Sequence, residues 1–564
     1  MYKHLCLTLV AAMLLVFSSC SKKMGALTSD YFTTTPDVLE EVAGEVPVTI
    51  NGKFPAKFFN KKAIVTVTPV LTYIGGETYG ESTSFQGEKV EGNNKTISYT
   101  EGGLFTMKTS FKYKEVMAKS ELYLEFTAKI GKKEVKIPRV KIADGVISTA
   151  LLSSAASSTP AIAPDKFQRI IKEAHQANIM FLIQQAELRA SELKGQSVKG
   201  LKEKLAEAGN AENKKVTSLE ISSYASPDGG LDLNEKLAAK REKVSTDFMN
   251  KELKKANVKT EVEGKFTAED WDGFKELVEK SNIQDKEIIV RVLSMYSDPE
   301  EREREIKNIS VAYKDLADEI LPQLRRSKLT LNVEIIGKSD DQILQLAKYT
   351  PTELTVDEIL YAATLVDADA EKVAIYKKTA ELFPADYRAV NNIGVISFKE
   401  GDFETAQSQF EKAGKINADA PEVSMNKALL SLKDNNAAAA KTLLGKAAGV
   451  PELDETMGLM YIQTGDYKSA VKSLDGVKSN NAALAFILNK DYNKAKTVLN
   501  EVAQPDATTG YLSAIVGART NNASMVIDGL KASAAKDATV ARKALTDIEF
   551  AKFATNAEFL KIVK

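Results

Sequence analysis

A multidomain α+β fold is expected for this chain: a β-sandwich-like domain, then an α/β sandwich, then an α-solenoid of helical hairpins. Three observations predict it. Strand-forming residues alternate with polar ones between residues 37 and 146, strand and helix patterns alternate from 166 to 340, and a helical-hairpin pattern recurs from 351 to 564. A length of 564 residues accommodates about three or four domains.

The first twenty residues stand apart. Lys3 precedes an almost unbroken apolar run from Leu5 to Phe17, which closes on Ser18-Ser19-Cys20. A basic start, a short apolar core and small residues predict a secretory signal peptide. The run is shorter than the roughly 20 apolar residues of a spanning helix. Cys20 after two small residues resembles the lipobox of bacterial lipoproteins, with Phe17 where Leu is usual. The resemblance implies a signal peptide at 1–19, lipid attachment at Cys20 and a tether at 20–36. Several acyl chains, each buried methylene contributing about 0.8 kcal/mol, hold a protein stably to a membrane. Ser21 is not the Asp that retains enteric lipoproteins in the inner membrane, and Lys22-Lys23 are basic rather than acidic. By that resemblance the protein is expected on the outer membrane, facing the periplasm.

Composition narrows the chemistry. The only cysteines are Cys6 and Cys20, so with Cys20 acylated no thiol nucleophile, disulfide or cysteine-ligated metal site is expected. His175 is the only histidine beyond the leader. It has no nucleophile elbow to serve, and a surface or packing role is expected. No metal, cofactor or catalytic residue is assigned. A formal net charge of −1 gives no reason to expect a nucleic-acid partner.

Residues 37–146 carry Val48-Thr-Ile, Ala63 to Tyr73, Leu122 to Ile130 and Val135 to Ile142, all rich in β-branched or aromatic residues with period-2 alternation. Gly75-Gly76, Gly92-Asn93-Asn94 and Gly102-Gly103 punctuate them as turns. Residues 147–165 are Ser-, Ala- and Pro-rich and predict a flexible or extended linker.

From 166 to 340, strands are expected at Asn178–Gln184, Val216–Ala225, Val258–Glu263 and Leu329–Ile336, and helices over 197–208, 231–253 and around Phe274–Val278. Leu233, Leu237, Val244 and Phe248 are the expected inward face of the long helix. The segment from Ile221 through Tyr224-Ala-Ser-Pro-Asp-Gly to Asn234-x-x-Leu237-Ala238-x-x-Arg241 resembles the OmpA-like C-terminal domain, with Gly229 as its turn glycine and Arg325-Arg326 as its basic pair before the last strand. The resemblance implies an α/β sandwich that binds peptidoglycan, an Asp taking the diaminopimelate ammonium and the helix Arg its carboxylate. Here Arg241 is present, Ser226 occupies the Asp position, and Asp228 lies two residues on. Asn234, Ser226, Asp228 and Arg241 are therefore the candidate wall-binding residues. A charge-assisted bond lost at Ser226 removes about 1.5–3 kcal/mol. Trp271 is read as a packing residue.

The C-terminal region repeats. Ala389 to Ala413 contains Gly394, Gly401-Asp402-Phe403, Ala406 and Phe410; the pattern returns at Gly458, Gly465-Asp-Tyr-Lys-Ser-Ala470 and Leu474, and again at Asp491-Tyr-Asn-Lys-Ala495 and Leu499. A divergent copy centres on Ala428, Ala440 and Leu444. The pattern resembles the tetratricopeptide repeat of about 34 residues, which implies four to six hairpins around a groove that takes proteins or peptides.

These expectations describe a non-catalytic, lipid-anchored adaptor that holds to peptidoglycan, scaffolds envelope proteins, or does both. The alternatives are an assembly factor that binds only proteins, its OmpA-like domain having lost peptidoglycan, and a wall hydrolase using carboxylates.

Overall fold

In a computed structural model the described residues are 24–284, 286–308 and 314–564. The leader and Cys20 lie outside them. Two compact units form: one joins the described residues up to Pro164 to Ala368–Lys564, and the other is Asp165–Asp367.

The first unit begins with two sheets. One has strands β1 (Phe32–Thr35), β3 (Glu45–Phe54) and β8 (Gly103–Lys112) in the order β1-β3-β8. The other runs β2 (Val38–Glu40), β10 (Lys133–Ile147), β9 (Ser120–Ile130), β4 (Ala63–Tyr73), β6 (Thr83–Gly87), β7 (Lys95–Ile97), with β5 (Gly76–Tyr79) beside β4. Alternation decides which face is buried: β9 hides every second residue from Ser120 to Ala128. The two inner faces share one core. Phe54 and Phe105 of the first sheet meet Phe85 of the second at ring-centroid separations of 5.4 and 4.8 Å. This is the sheet-rich N-terminal region the alternation predicts.

The second unit is built on a four-stranded sheet, order β11 (Ile170–Met180), β14 (Arg326–Ile336), β12 (Lys214–Tyr224), β13 (Val262–Thr267). Only β12 and β13 are parallel. Helix α1 (Gln196–Asn210) buries Val198, Leu201 and Leu205 against the sheet, and α2 (Leu231–Lys255) forms the crossover between the parallel strands. A separate apolar cluster joins α3 (Trp271–Lys280), α4 (Lys286–Met295) and α5 (Pro299–Asn308) to Leu316–Leu324. The unit continues through α6 (Asp340–Tyr349) and α7 (Val356–Ala362), beyond the expected limit at 340.

Three expectations in this unit are corrected. The apolar run at Asn178–Gln184 is not one strand: β11 ends at Met180, and Leu182 and Ile183 turn outward at 45% and 55% exposure. The third strand starts at Val262 rather than Val258. The inward face of α2 is rotated from the apolar stripe: Asn234, Ala238, Arg241, Ser245, Met249 and Leu253 are buried while Leu233 is exposed. Polar residues occupy that face because partners exist there. Ser245 donates to Ser327 at 2.8 Å, and Ser327 bonds Ser223 at 2.6 Å.

The first unit resumes with α8 (Asp369–Leu382) and five hairpins: α9 (Tyr387–Lys399) with α10 (Phe403–Ile416), α11 (Pro421–Lys433) with α12 (Ala437–Leu444), α13 (Leu453–Gln463) with α14 (Tyr467–Ser473), α15 (Asn480–Leu488) with α16 (Tyr492–Glu501), and α17 (Ala507–Arg519) with α18 (Ala523–Lys536). Each turn is the same two-residue device. Gly401, Asn435, Gly465, Lys490 and Asn521 have positive φ and end the first helix. The next residue, Asp402, Asn436, Asp466, Asp491 or Asn522, caps the second through a side-chain oxygen. Seven residues before each turn stands Gly or Ala; a Cβ at Gly394 would lie 2.7 Å from the Phe410 ring. Phe410 is wholly buried.

Where the β module meets the solenoid, Glu41 is buried, accepts the Gly44 N–H at 2.6 Å through Oε1, and leaves Oε2 without a partner. Burial holds its pKa above the ordinary 4.5. The folded state therefore keeps this proton to higher pH than the unfolded chain does. Stability tied to the proton is full below about 4.5 and is lost as pH rises through the raised value. Glu41→Gln is expected to raise the thermal midpoint at pH 7.5 and leave it unchanged at pH 4, read by circular dichroism melts of both proteins.

Candidate functional site

Two places gather polar groups in the way a binding site requires. The first is the turn between β12 and α2. Asn234, one turn into α2, donates through Nδ2 to the carbonyls of Ser226 at 3.2 Å and Gly229 at 2.9 Å and to Glu269 at 3.3 Å. Ser226 donates to Asp228 Oδ1 at 2.5 Å, and Arg325 bonds Ser226 Oγ at 3.2 Å and Asp228 Oδ2 at 2.9 Å. Arg326 pairs with Asp270 at 2.8 Å, and Asp270 caps α3 at the Gly273 N–H. Burial raises the pKa of both Glu269 and Asp270. Glu269 accepts from Trp271 Nε1 at 2.9 Å and from Asn234 Nδ2 at 3.3 Å.

Arg241 is fully buried. Its guanidinium donates to three main-chain carbonyls, Gln185 at 2.9 Å, Tyr224 at 2.8 Å and Leu182 at 3.2 Å, with the Phe181 ring 5.0 Å away. Burial, with Arg325 nearby, lowers its pKa to about 10, leaving it charged at neutral pH. Asn234, Ser226, Asp228 and Arg241 thus come together around the β12–α2 turn. Arg241 Nε and one donor from each terminal nitrogen are spent on the Tyr224 carbonyl and the 182–185 loop.

The second place is the solenoid groove, and the sequence reading missed what fills it. Residues 154–164, expected as part of a linker, lie along the first helices of the hairpins: a turn at 155–158, closed by the Ser158 N–H on the Ala155 carbonyl at 3.1 Å, leads into an irregular stretch from 159 to 164. Asn426 accepts the Ala161 N–H at 2.7 Å and donates to the Ala161 carbonyl at 2.8 Å. Asn392 does the same for Ala163, at 2.8 and 3.0 Å. Asn481 does it for Ser154, at 2.9 and 2.8 Å. Asn391 adds a bond to the Ala161 carbonyl at 3.1 Å, Glu455 accepts from the Thr159 main chain, and Arg388 reaches the Pro164 carbonyl at 3.3 Å. Ala155, Ser158, Ala161 and Ala163 are buried. Upstream, Thr149 donates to Glu549 at 2.5 Å, and Glu549 also pairs with the half-buried Arg519. The flexible-linker expectation is corrected: this stretch is a strap held to the hairpins by side-chain bonds to the main chain of Ser154, Thr159, Ala161, Ala163 and Pro164. A signal existed. Asn392, Asn426 and Asn481 each stand two residues before the small residue of their hairpin, where Thr456 and Leu512 stand in the other two.

Also in this unit, a cleft of about 910 Å³ lies between the β module and the C-terminal turns, lined by Tyr73, Ile74, Lys119, Arg519, Leu545 and Asp547 among others. Among the described residues no group of three or more His, Cys, Asp or Glu could hold a metal ion, and no helix is long and apolar enough to cross a membrane. His175 sits on β11, 3.1 Å from Glu173.

Residues 387–419, which span α9 and α10, match the tetratricopeptide repeat model. No curated protein matches the chain. Solved structures similar to parts of it include a tetratricopeptide repeat protein from Parabacteroides merdae, 10% identical, covering 46% of this chain and 98% of that one at a TM-score of 0.28. The type IV pilus biogenesis factor PilW is 16% identical, with 40% and 98% covered and a TM-score of 0.26. Yeast Tom70 is 12% identical, with 66% and 83% covered and a TM-score of 0.24. Likenesses this distant decide nothing about what the chain binds.

The amide pairs generate a direct expectation. Asn392→Ala leaves the buried Ala163 N–H and C=O unpaired, at about 1–3 kcal/mol for each group. Hydrogen exchange at the Ala163 amide should quicken by at least tenfold while amides of the β module keep their rates.

Proposed function

We propose that the protein is a non-catalytic scaffold of the cell envelope that works through contacts with other proteins. It is anchored by lipid on Cys20 to the outer membrane and faces the periplasm. Its central unit has the OmpA-like fold without peptidoglycan uptake. The observation carrying this reading is Arg241, whose guanidinium is wholly buried with three main-chain carbonyls as partners. A planar guanidinium grips a carboxylate through two parallel free donors, and here each of the three guanidinium nitrogens already donates to a main-chain carbonyl. The carboxylate of Asp228, the nearest candidate to replace the missing Asp, pairs with Arg325. Support for the protein-binding half is the repeat at 387–419 and the row of hairpins around it, an architecture that stacks into extended surfaces for partners. The second reading, a wall tether through Asn234, Ser226, Asp228 and Arg241, rests on their shared position at the β12–α2 turn and requires the 182–185 loop to release the guanidinium.

Sedimentation with insoluble peptidoglycan separates the two. The purified lipid-free chain is expected to stay in the supernatant, and pelleting in proportion to the wall material would establish the tether instead. For the anchor, Cys20→Ala is expected to move the protein from the membrane pellet to the soluble fraction of lysed cells; unchanged membrane association removes the lipid from the proposal. In-cell cross-linking followed by mass spectrometry reads the scaffold role, which fails if no envelope protein is joined to the chain.

A further inference from the structure

Asn392 and Asn426 touch the strap through its main chain, and Asn481 holds the Ser154 main chain and the Ser158 hydroxyl. Buried amides in a helical core are unfavourable unless every polar atom is paired, and the atoms that pair them come from residues 229 to 327 positions away in the chain. The bonds at Ala161 and Ala163 repeat with a two-residue step, which is the period of an extended chain. Between them Ile162 is 50% exposed, whereas Ala161 and Ala163 are enclosed. The groove thus reads an extended backbone with small side chains at two alternate positions and takes any residue between them.

We propose that residues 154–164 are a resident ligand held in cis, which closes this groove to other extended peptides until it is displaced. The occupant it excludes is an uncharged, unstructured peptide segment with Ala or Ser at two alternate positions, carried by a partner protein. This rests on the protein-binding reading above and adds the way its site is regulated. The exchange is nearly symmetric. A foreign extended peptide of this kind forms the same main-chain bonds to Asn392 and Asn426, and the enclosed methyl groups of the strap bury little apolar surface for a competitor to match. What favours the strap is tethering, which presents it at an effective concentration of about millimolar. A partner joined to the envelope, or presenting several copies, meets that concentration; a dilute peptide does not.

The test uses the purified chain and a fluorescent synthetic peptide with the sequence Leu152–Asp165, read by anisotropy. In the double variant Ala161→Lys, Ala163→Lys, charged side chains cannot enter the enclosed positions, so the strap leaves while the groove residues are untouched. The double variant is expected to bind the peptide at least tenfold more tightly than the unaltered chain, and adding Asn426→Ala to it should weaken binding at least tenfold. Equal binding by the unaltered chain and the double variant overturns the proposal. So does absence of binding by a double variant whose circular dichroism and melting match the unaltered chain. Should the double variant not fold, hydrogen exchange on the unaltered chain decides: millimolar unlabelled peptide is expected to quicken exchange at the Ala161 and Ala163 amides, and unchanged rates overturn the proposal. Failure of in-cell cross-linking to join any envelope protein would remove the scaffold reading, and peptide exchange would still report on the groove.

Discussion

Every buried main-chain N–H and C=O needs a partner, and the first unit meets that requirement with asparagine amides. A primary amide offers a donor and an acceptor side by side, so one side chain pairs both polar groups of one extended residue, as a neighbouring strand would. Asn392, Asn426 and Asn481 do this from three positions along the solenoid, with only the α13–α14 hairpin between the last two using Glu455 instead. Because the strap is continuous with β10, the same bonds unite the N-terminal sheets with the C-terminal helices in one compact unit although 203 residues, from Asp165 to Asp367, intervene in sequence.

The central unit answers the same requirement with a different side chain. The loop after β11 leaves the sheet at Met180, and its carbonyls at Leu182 and Gln185 lose the ladder. Arg241 replaces the missing donors, and the low dielectric around it strengthens those bonds. An arginine on this helix can therefore serve the fold or a ligand, and its hydrogen bonds, rather than its place in the motif, decide between them. The same holds at the turn, where Asn234 clamps the Ser226 and Gly229 carbonyls.

Much of the architecture was legible. Period-2 alternation located the long strands β4, β9 and β10, and the glycine, aspartate and aromatic spacing located the hairpin turns, because a positive φ followed by a cap demands particular residues. The errors share one cause. Apolar spacing on α2 pointed to Leu233 and Leu237, yet Asn234, Arg241 and Ser245 are inside, since their partners lie on segments that no local pattern connects to the helix. The Ser-, Ala- and Pro-rich strap read as a linker because composition assumes that such a backbone is paired with water. The asparagines that pair it instead lie hundreds of residues away, and only their common place in the repeat hinted at a shared task.

The order of synthesis adds a further demand on the strap. Ala163 leaves the ribosome 229 residues ahead of Asn392 and Ala161 leaves 265 ahead of Asn426. At about 5–20 residues per second, the strap waits roughly ten to fifty seconds before its groove exists. A segment of large apolar residues would spend that interval seeking other hydrophobic surfaces. Serine, alanine and proline leave the nascent chain soluble, so the small side chains that fit the finished groove also keep the unfinished polypeptide out of aggregates.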